Sequence, residues 1–409
     1  MKLLIIFSST QRGGAEEYAL TIARAAIKQG WQLHAAFPDQ PGMNTLIQDF
    51  VYLGVSYYPL NIAEPELFSI KTVGEQADAL VPAFNRLFTS RLKATIGHIP
   101  RFLKSLYLLF KVKPDAVQII LPWPTFCFSS ILACGLLKLP TTLVFQLIPQ
   151  YVPLSTWQLA IYQWVHRRSQ QWVAISENNK QFICETFQIH PGKIICIYNG
   201  TSTPDKPELD ECARAQIRQK IRQELGLSDN TLILLTVARL GPQKGHNYLI
   251  PVIPHIAKAF PNVHFVWIGE GELKASLIQD LESYQVSNKV SMLGYRDDVH
   301  RFLLASDLFV FPTYYEGQPF AVLEAMAQGL PVVASATSGI PEVIEHQVHG
   351  LLFRTGDSCD LLETLRGALQ QPGKMKEMAD NAQHRVKDFS ETEMTEKNLE
   401  TIEKLVLSH

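Results

Sequence analysis

The chain has only six cysteines in 409 residues, at positions 127, 134, 184, 196, 212 and 359, with no C-x-x-C pair and no tight group among them. That spacing excludes a zinc ribbon and a disulfide framework and fits a reducing, cytoplasmic setting. No D-x-D occurs, and no set of carboxylates or histidines has metal-ligand spacing. Chemistry on an anionic leaving group is therefore expected to rest on Arg and Lys, with no metal and no cofactor. The full G-x-G-x-x-G pattern is missing, and no acidic residue closes a second strand, which argues against a nicotinamide dehydrogenase. A membrane-spanning run is also lacking. The uncharged stretch from Ala116 to Leu137 contains Gln118, Pro122 and Pro124, and a strand, a Pro-Trp-Pro turn and a buried helix explain it better than a span. The apolar opening Met1–Phe7 is short and lacks a cleavage site; it reads as a first buried strand rather than a signal peptide.

What is present is enough apolar sequence for large cores. Hydrophobic residues make up 46% of the chain and charged residues 19%, over a length that exceeds what one core usually supports. Short apolar or β-branched runs at Leu3–Phe7, Gln32–Phe37, Val55–Leu60, Ala116–Leu121, Thr142–Leu147 and Trp172–Ile175 are separated by longer helix-like segments. The pattern restarts at Leu232–Val237, Val263–Ile268, Val290–Leu293, Leu308–Phe311 and Val332–Ala334, with helices predicted over Asn247–Lys258 and Phe320–Gln328. Such alternation predicts an α/β protein with two mostly parallel sheets. The turn-rich stretch 199–207 reads as a linker, which divides the chain into domains 1–203 and 204–390. The segment 391–409 has Met394, Leu399, Ile402, Leu405 and Val406 at helical spacing and is expected to pack by one face on the first domain.

Charge is unevenly shared. Residues 1–200 hold 17 Lys and Arg against 11 Asp and Glu, whereas residues 201–409 hold 20 against 28. Arg86, Arg91, Lys93, Arg101, Lys104, Lys111 and Lys113 fall in a stretch, 79–114, that has no acidic residue. An anionic membrane surface is a candidate partner for 86–113, and a solvated helical face explains the same charges.

The residues with chemistry in them follow the strands of the second half. Glu316 and Glu324 stand eight apart in Glu316-Gly317-Gln318-Pro319-Phe320-Ala321-Val322-Leu323-Glu324, across the start of a helix whose N-terminus favours an anion. Pro319 suits its first turn. Arg239 and Lys244 lie just beyond the strand ending at Val237, where open α/β sheets bind ligands. A planar fork and a point charge suit the two phosphates of a diphosphate. Gly269 and Gly271 follow another strand and allow close approach of a base or ribose, although a plain strand-to-helix turn would look the same. In the first half, Arg12-Gly13-Gly14-Ala15-Glu16 opens a helix after the first strand and is a candidate anion cradle.

Together these residues resemble the retaining glycosyltransferases of family 4, of the group 1 type. The resemblance runs in order through Val237–Lys244, Gly269-Glu270-Gly271, Leu293-Gly294, Glu316–Gly329, Pro331–Ala334 and Gly339–Glu342, and in the first half through Gly13–Glu16, Ser176-Glu177 and Asn199-Gly200. It implies the GT-B fold of two facing Rossmann-like domains, and sugar transfer from a nucleotide diphosphate-sugar to a lipid-linked or growing polysaccharide acceptor. No nucleic acid is implied. By this likeness Arg239 and Lys244 hold the diphosphate, Glu316 the hydroxyls of the transferred sugar and Glu324 the ribose. Gly13, Gly14, Gly317, Gln318, Pro319 and Phe320 line the donor, Tyr295 and Arg296 lie near its base, and Ser338 and Gly339 border the sugar. Gln146 and Glu16 are the candidate contacts to acceptor or sugar. Gln146 stands where many members have a His, so any role requiring imidazole is excluded there, and Ser338 replaces a frequent Gly. A cytoplasmic enzyme, peripheral on the inner membrane face, is the expected setting. A nucleotide-sugar epimerase and a catalytically silent sugar-nucleotide binder remain as alternatives.

Overall fold

The computed structural model describes residues 1–60, 99–150, 152, 154–202 and 211–409. Arg86, Arg91 and Lys93 of the basic stretch, and residues 203–207 of the expected linker, lie outside the described residues.

Two compact units are present, one made of Met1–Ala174, Lys180–Cys196 and Thr395–His409, the other of Ile175–Asn179 and Ile197–Met394. In the first, the described strands are β1 (Lys2–Phe7), β2 (Gln32–Phe37), β3 (Ser56–Pro59), β4 (Ala116–Leu121), β5 (Thr141–Phe145), β6 (Gln170–Ala174) and β7 (Ile194–Cys196). They form one parallel sheet in the order β3-β2-β1-β4-β5-β6-β7. β4 and β5 are buried along their whole length, as strands covered on both faces by crossover helices must be. Around Trp172, fully buried, Phe145 and Phe187 pack with ring centroids 5.2 and 5.1 Å away. Trp172→Ala would cost about 3–5 kcal/mol by opening that cluster.

The uncharged stretch from Ala116 resolves into β4, a turn and the buried helix Phe128–Leu137. Among the described residues no helix is long and apolar enough to cross a membrane. The helix Glu391–Leu407 supplies Asn398, whose Oδ1 accepts from Tyr18 Oη at 2.6 Å and Gln118 Nε2 at 3.3 Å. Asn398 Oδ1 thus gives two buried donors of the first unit a partner, while Gln118 Oε1 is left without one among the described residues.

The second unit holds β8 (Leu232–Val237), β9 (Val263–Ile268), β10 (Val290–Met292), β11 (Leu308–Phe311), β12 (Val332–Ser335) and β13 (Leu351–Phe353), all parallel in the order β10-β9-β8-β11-β12-β13. The helix expected over Asn247–Lys258 is broken into His246–Leu249, Ile250–Val252 and Ile253–Ala259. Pro251 and Pro254 supply no N–H and clash with the preceding turn, which accounts for the breaks. Arg222, nearly inaccessible, fixes the strand starts: it bonds to the Thr231 and Ala305 carbonyls and pairs with Asp307 at 2.9 Å.

Candidate functional site

The chain runs outward from β8 through β9 to β10 and then crosses back to β11 on the other side of β8, so the order reverses between β8 and β11. Parallel sheets open a crevice at the carboxyl ends of such strands. The loop after β8 contains Arg239 and Lys244, and the loop after β11 contains Thr313 and Glu316. The two loops are tied together. Tyr314 N–H donates to the Gln243 carbonyl at 2.8 Å, Gln243 Nε2 donates to the Tyr315 carbonyl at 2.7 Å, and the Thr313 hydroxyl lies 2.9 Å from Glu316 Oε1. Lys244 Nζ pairs with that same Oε1, with the two side chains only 18% and 9% exposed. Lys244 also lies 5.4 Å from the Phe311 ring centroid. Thr313 is a partner that the sequence reading missed; its signal was a hydroxyl three residues before Glu316, just past a strand end.

Gly245 explains why Lys244 can turn back toward Glu316. Its φ is +68°, and a Cβ there would stand 1.7 Å from the Pro312 carbonyl oxygen, an impossible approach for any other residue. His246 follows in the core, where burial and then Lys244 push its pKa down to about 3. It stays neutral at ordinary pH and offers no proton to the site.

Arg239 differs from Lys244. It is exposed, and among the described residues it forms neither an ion pair nor a side-chain hydrogen bond. A Cβ at Gly241 would lie 3.3 Å from its Nε, so the missing side chain leaves room for the guanidinium. The strand end thus holds one cation paired with a carboxylate and one, Arg239, with no ion pair among the described residues although Glu272 Oε1 also lies near Gly241, an arrangement suited to an incoming anion.

The other expected positions fall around this pair or apart from it. Pro319 sits at the cap of helix Phe320–Ala327 instead of in its first turn, with φ −76° and ψ 121°. Glu324 is half-buried inside that helix. Gln318 is engaged elsewhere: its Oε1 accepts the Asn199 N–H at 2.6 Å, while Asn199 Nδ2 donates to the Gln318 carbonyl at 3.0 Å. Ser338 has φ +52° and accepts the Glu316 N–H on its hydroxyl at 3.1 Å. Gly339 N–H donates to the Gly317 carbonyl at 3.1 Å, in a gap where a Cβ would stand 2.1 Å from that oxygen. Gly269 and Gly271 follow β9, and Gly269 N–H donates to Gly294 at 2.8 Å. Tyr295 is exposed, whereas the Arg296 guanidinium is held by Asp298 at 2.8 Å and Glu224 at 3.0 Å. Arg296 and Arg301 in turn keep the Asp298 carboxyl down at about 2.

Glu342 has a position that its motif alone did not reveal. Its carboxylate accepts the N–H groups of Glu177 and Asn178 at 2.8 and 2.7 Å and the Tyr198 hydroxyl at 2.8 Å. A carboxylate at the first N–H groups of helix Glu177–Phe187 satisfies donors that the helix cannot.

Gly13, Gly14, Glu16 and Gln146 belong to the first unit. Gly13 and Gly14 are exposed at the start of helix Gly14–Lys28. Glu16 points inward and is 3% exposed, and burial raises its pKa against the lowering effect of hydrogen bonds from Ser9 and nearby backbone. Arg12 is tied to Glu17 at 2.5 Å and Asp49 at 2.7 Å. Gln146 is buried just beyond β5, its N–H donating to the Leu121 carbonyl at 3.0 Å.

A cation-bearing loop tied to a carboxylate-bearing loop lies at the reversal point of a parallel sheet, the place where open α/β sheets receive ligands. Comparison with known proteins gives the family. The family model described as glycosyltransferase family 4 matches residues 12–204, and that described as glycosyl transferases group 1 matches residues 217–385. The chain belongs to this family of group 1, family 4 type glycosyltransferases, and its fold is GT-B. Among curated relatives, it is 28% identical over 213 residues to the Escherichia coli UDP-Gal:alpha-D-GlcNAc-diphosphoundecaprenol alpha-1,3-galactosyltransferase, over 50% of this chain and 54% of that one. An uncharacterized glycosyltransferase of Methanocaldococcus jannaschii is 34% identical over 44% of this chain and 46% of its own. The chain spans about half the length of these curated relatives. The solved structure of Anabaena HepE in complex with UDP and glucose superposes with a TM-score of 0.75 at 21% identity, covering 99% of this chain and 100% of that one.

Proposed function

We propose that this protein moves a sugar from a nucleotide diphosphate donor to a lipid-linked or growing polysaccharide acceptor, with retention at the anomeric carbon. The observation that carries the reading is the pair of cations at the β8 strand end, Lys244 set against Glu316 and Arg239 left open. Breaking the bond from the anomeric carbon to the diphosphate oxygen builds negative charge on that oxygen. Fixed cations at that point stabilise the transition state more than the ground state. The acceptor hydroxyl forms the new bond, and its proton passes to the departing phosphate oxygen. No dedicated base and no metal ion enter this scheme. Glu316 is the group for the sugar hydroxyls, and Glu324 for the ribose. The E. coli relative named for an undecaprenyl-linked acceptor and the HepE complex with UDP support the donor and acceptor classes by similarity. A peripheral position at the inner membrane face, in polysaccharide biosynthesis, fits such an acceptor.

The test is nucleotide release from UDP-, GDP-, ADP- and dTDP-sugars, with and without a lipid extract and with and without a chelator. Release from one donor, raised by the extract and unaffected by the chelator, is the expected result. Turnover of the donor to an epimer without any acceptor would replace the reading by the epimerase, and tight binding with no turnover under any condition would replace it by the silent binder.

A further inference from the structure

Helical residues 99–112 of the first unit have two apolar faces. Leu108, Leu109 and Val112 are buried in the core beneath the sheet, and Ser105 is hydrogen-bonded to Ser130 at 3.0 Å. On the far side Ile99, Leu103, Tyr107 and Phe110 are 54, 57, 68 and 62% exposed. At 3.6 residues per turn these four fall within an arc of roughly 80°, in a strip about 16 Å long. Lys104 and Lys111, both exposed, flank one edge of that arc. A surface helix ordinarily turns polar residues outward. Here four large apolar side chains face away from the core, and residues 99–112 contain no acidic side chain.

We propose that this outward face docks on an anionic lipid surface, with Ile99, Leu103, Tyr107 and Phe110 entering the boundary between headgroups and acyl chains and Lys104 and Lys111 meeting the headgroup phosphates. The apolar strip and the single sign of its flanking charge select this occupant. A second copy of the chain would set the same strip against itself, bringing Lys104 and Lys111 close to their own duplicates. An interfacial helix requires an apolar face with a basic border, and both are present. Long lysine stems also let the ammonium groups reach the headgroups while their methylenes stay in apolar surroundings. As the place where a lipid-borne acceptor is met, the face rests on the transferase reading; docking itself does not depend on turnover.

The experiment is co-sedimentation of the full chain, without donor, with vesicles of phosphatidylcholine alone and of phosphatidylcholine with about one third phosphatidylglycerol, at low salt and at about 0.5 M salt. Wild type is expected to sediment with the anionic vesicles and to be released in part by salt. Leu103→Asp/Phe110→Asp should weaken binding at least about tenfold, and Lys104→Ala/Lys111→Ala by about fivefold or more. Tyr52→Asp, a change at an exposed aromatic outside this helix, should leave binding unchanged. Ile99→Ser/Tyr107→Ser gives the same readout should the aspartate pair disturb folding in a thermal melt. The proposal is overturned if wild type stays in the supernatant, if both apolar double variants sediment like wild type, or if they dissolve a dimer seen by analytical ultracentrifugation without vesicles. Nucleotide release measured on the same variants with detergent-dispersed lipid extract separates the two ideas. Docking lost with release intact supports this face alone, and docking intact with no release from any donor overturns the transferase reading only.

Discussion

The first loop of each unit leaves a central strand and carries an arginine within two residues of a glycine, yet the two are wired differently. After β1, Arg12 is claimed by two carboxylates, Glu17 and Asp49, and the nearby Glu16 is buried. After β8, Lys244 is paired with Glu316, and Arg239 forms no ion pair among the described residues. The same topology therefore yields an internally neutralised opening in one unit and an unbalanced cation in the other. An arginine close to a glycine after a strand indicates where a site can form; its carboxylate partners determine whether charge is left over for a ligand.

The largest effect that would break this comparison is on turnover. Arg239→Ala and Lys244→Ala should each lower nucleotide release by about 10²–10³-fold, the loss typical of removing one donor to a developing oxyanion. Arg12→Ala should change it by less than tenfold, since its charge is already taken up. Steady-state release on the preferred donor measures all three. An Arg12→Ala loss as deep as that of Arg239→Ala would mean that the pairing seen in the first loop is not its working state.

Next in size is the ion pair itself. Glu316→Ala leaves Lys244 half-buried without its carboxylate, and breaking a fully buried pair costs about 3–5 kcal/mol. Both side chains retain some exposure, so about 1–3 kcal/mol is the discounted expectation. Arg12→Ala in the first loop breaks pairs whose carboxylates are 46 and 41% exposed, and about 1 kcal/mol or less is expected. Urea unfolding of the two variants tests the ordering.

Much of this was readable in the sequence, for a physical reason. Strands buried on both faces require unbroken apolar runs, so β1, β2, β4, β8, β9 and β11 were recognisable within a residue or so. β7 and β13, three-residue partly buried strands at sheet edges, were missed, although β10, as short and also at an edge, was found. The candidate site residues of the second unit were legible as positions just past strand ends. Their pairings were not: that Lys244 meets Glu316, that Gln318 serves Asn199 and that Glu342 caps helix Glu177–Phe187 depends on long-range register. Two prolines were visible in 247–258, but the helical spacing around them outweighed the missing N–H groups, and the predicted single helix is three pieces.

Glu16 sharpens the comparison through pH. Burial raises its folded-state pKa above the ordinary 4.5. The folded state therefore binds the proton more tightly than the unfolded state, and stability falls as pH rises from about 4.5 through the raised value. Glu16→Gln removes that titration while keeping a side chain of the same shape. The variant should gain on wild type as pH increases, with the advantage small at about pH 4 and growing as pH rises through the raised value, by unfolding free energies at a series of pH values. A constant difference across the series would place the Glu16 carboxylate in a solvated setting.

The smallest expected effect is at Ser338, where a left-handed backbone and a hydrogen bond oppose each other. A non-glycine residue at φ +52° is strained by about 1 kcal/mol, which glycine would relieve. The hydroxyl, however, accepts the Glu316 N–H, and a hydrogen bond of that kind contributes about 1 kcal/mol. Ser338→Gly should therefore leave the melting temperature nearly unchanged, whereas Ser338→Ala keeps the strain, loses the acceptor and should be less stable by about 1 kcal/mol. Both variants free the Glu316 N–H, but only glycine also removes the Cβ beside the predicted sugar position. A change in preference among donor sugars seen in Ser338→Gly and not in Ser338→Ala would assign selectivity to that Cβ. Equal shifts in both would assign it to the hydroxyl and its hold on Glu316.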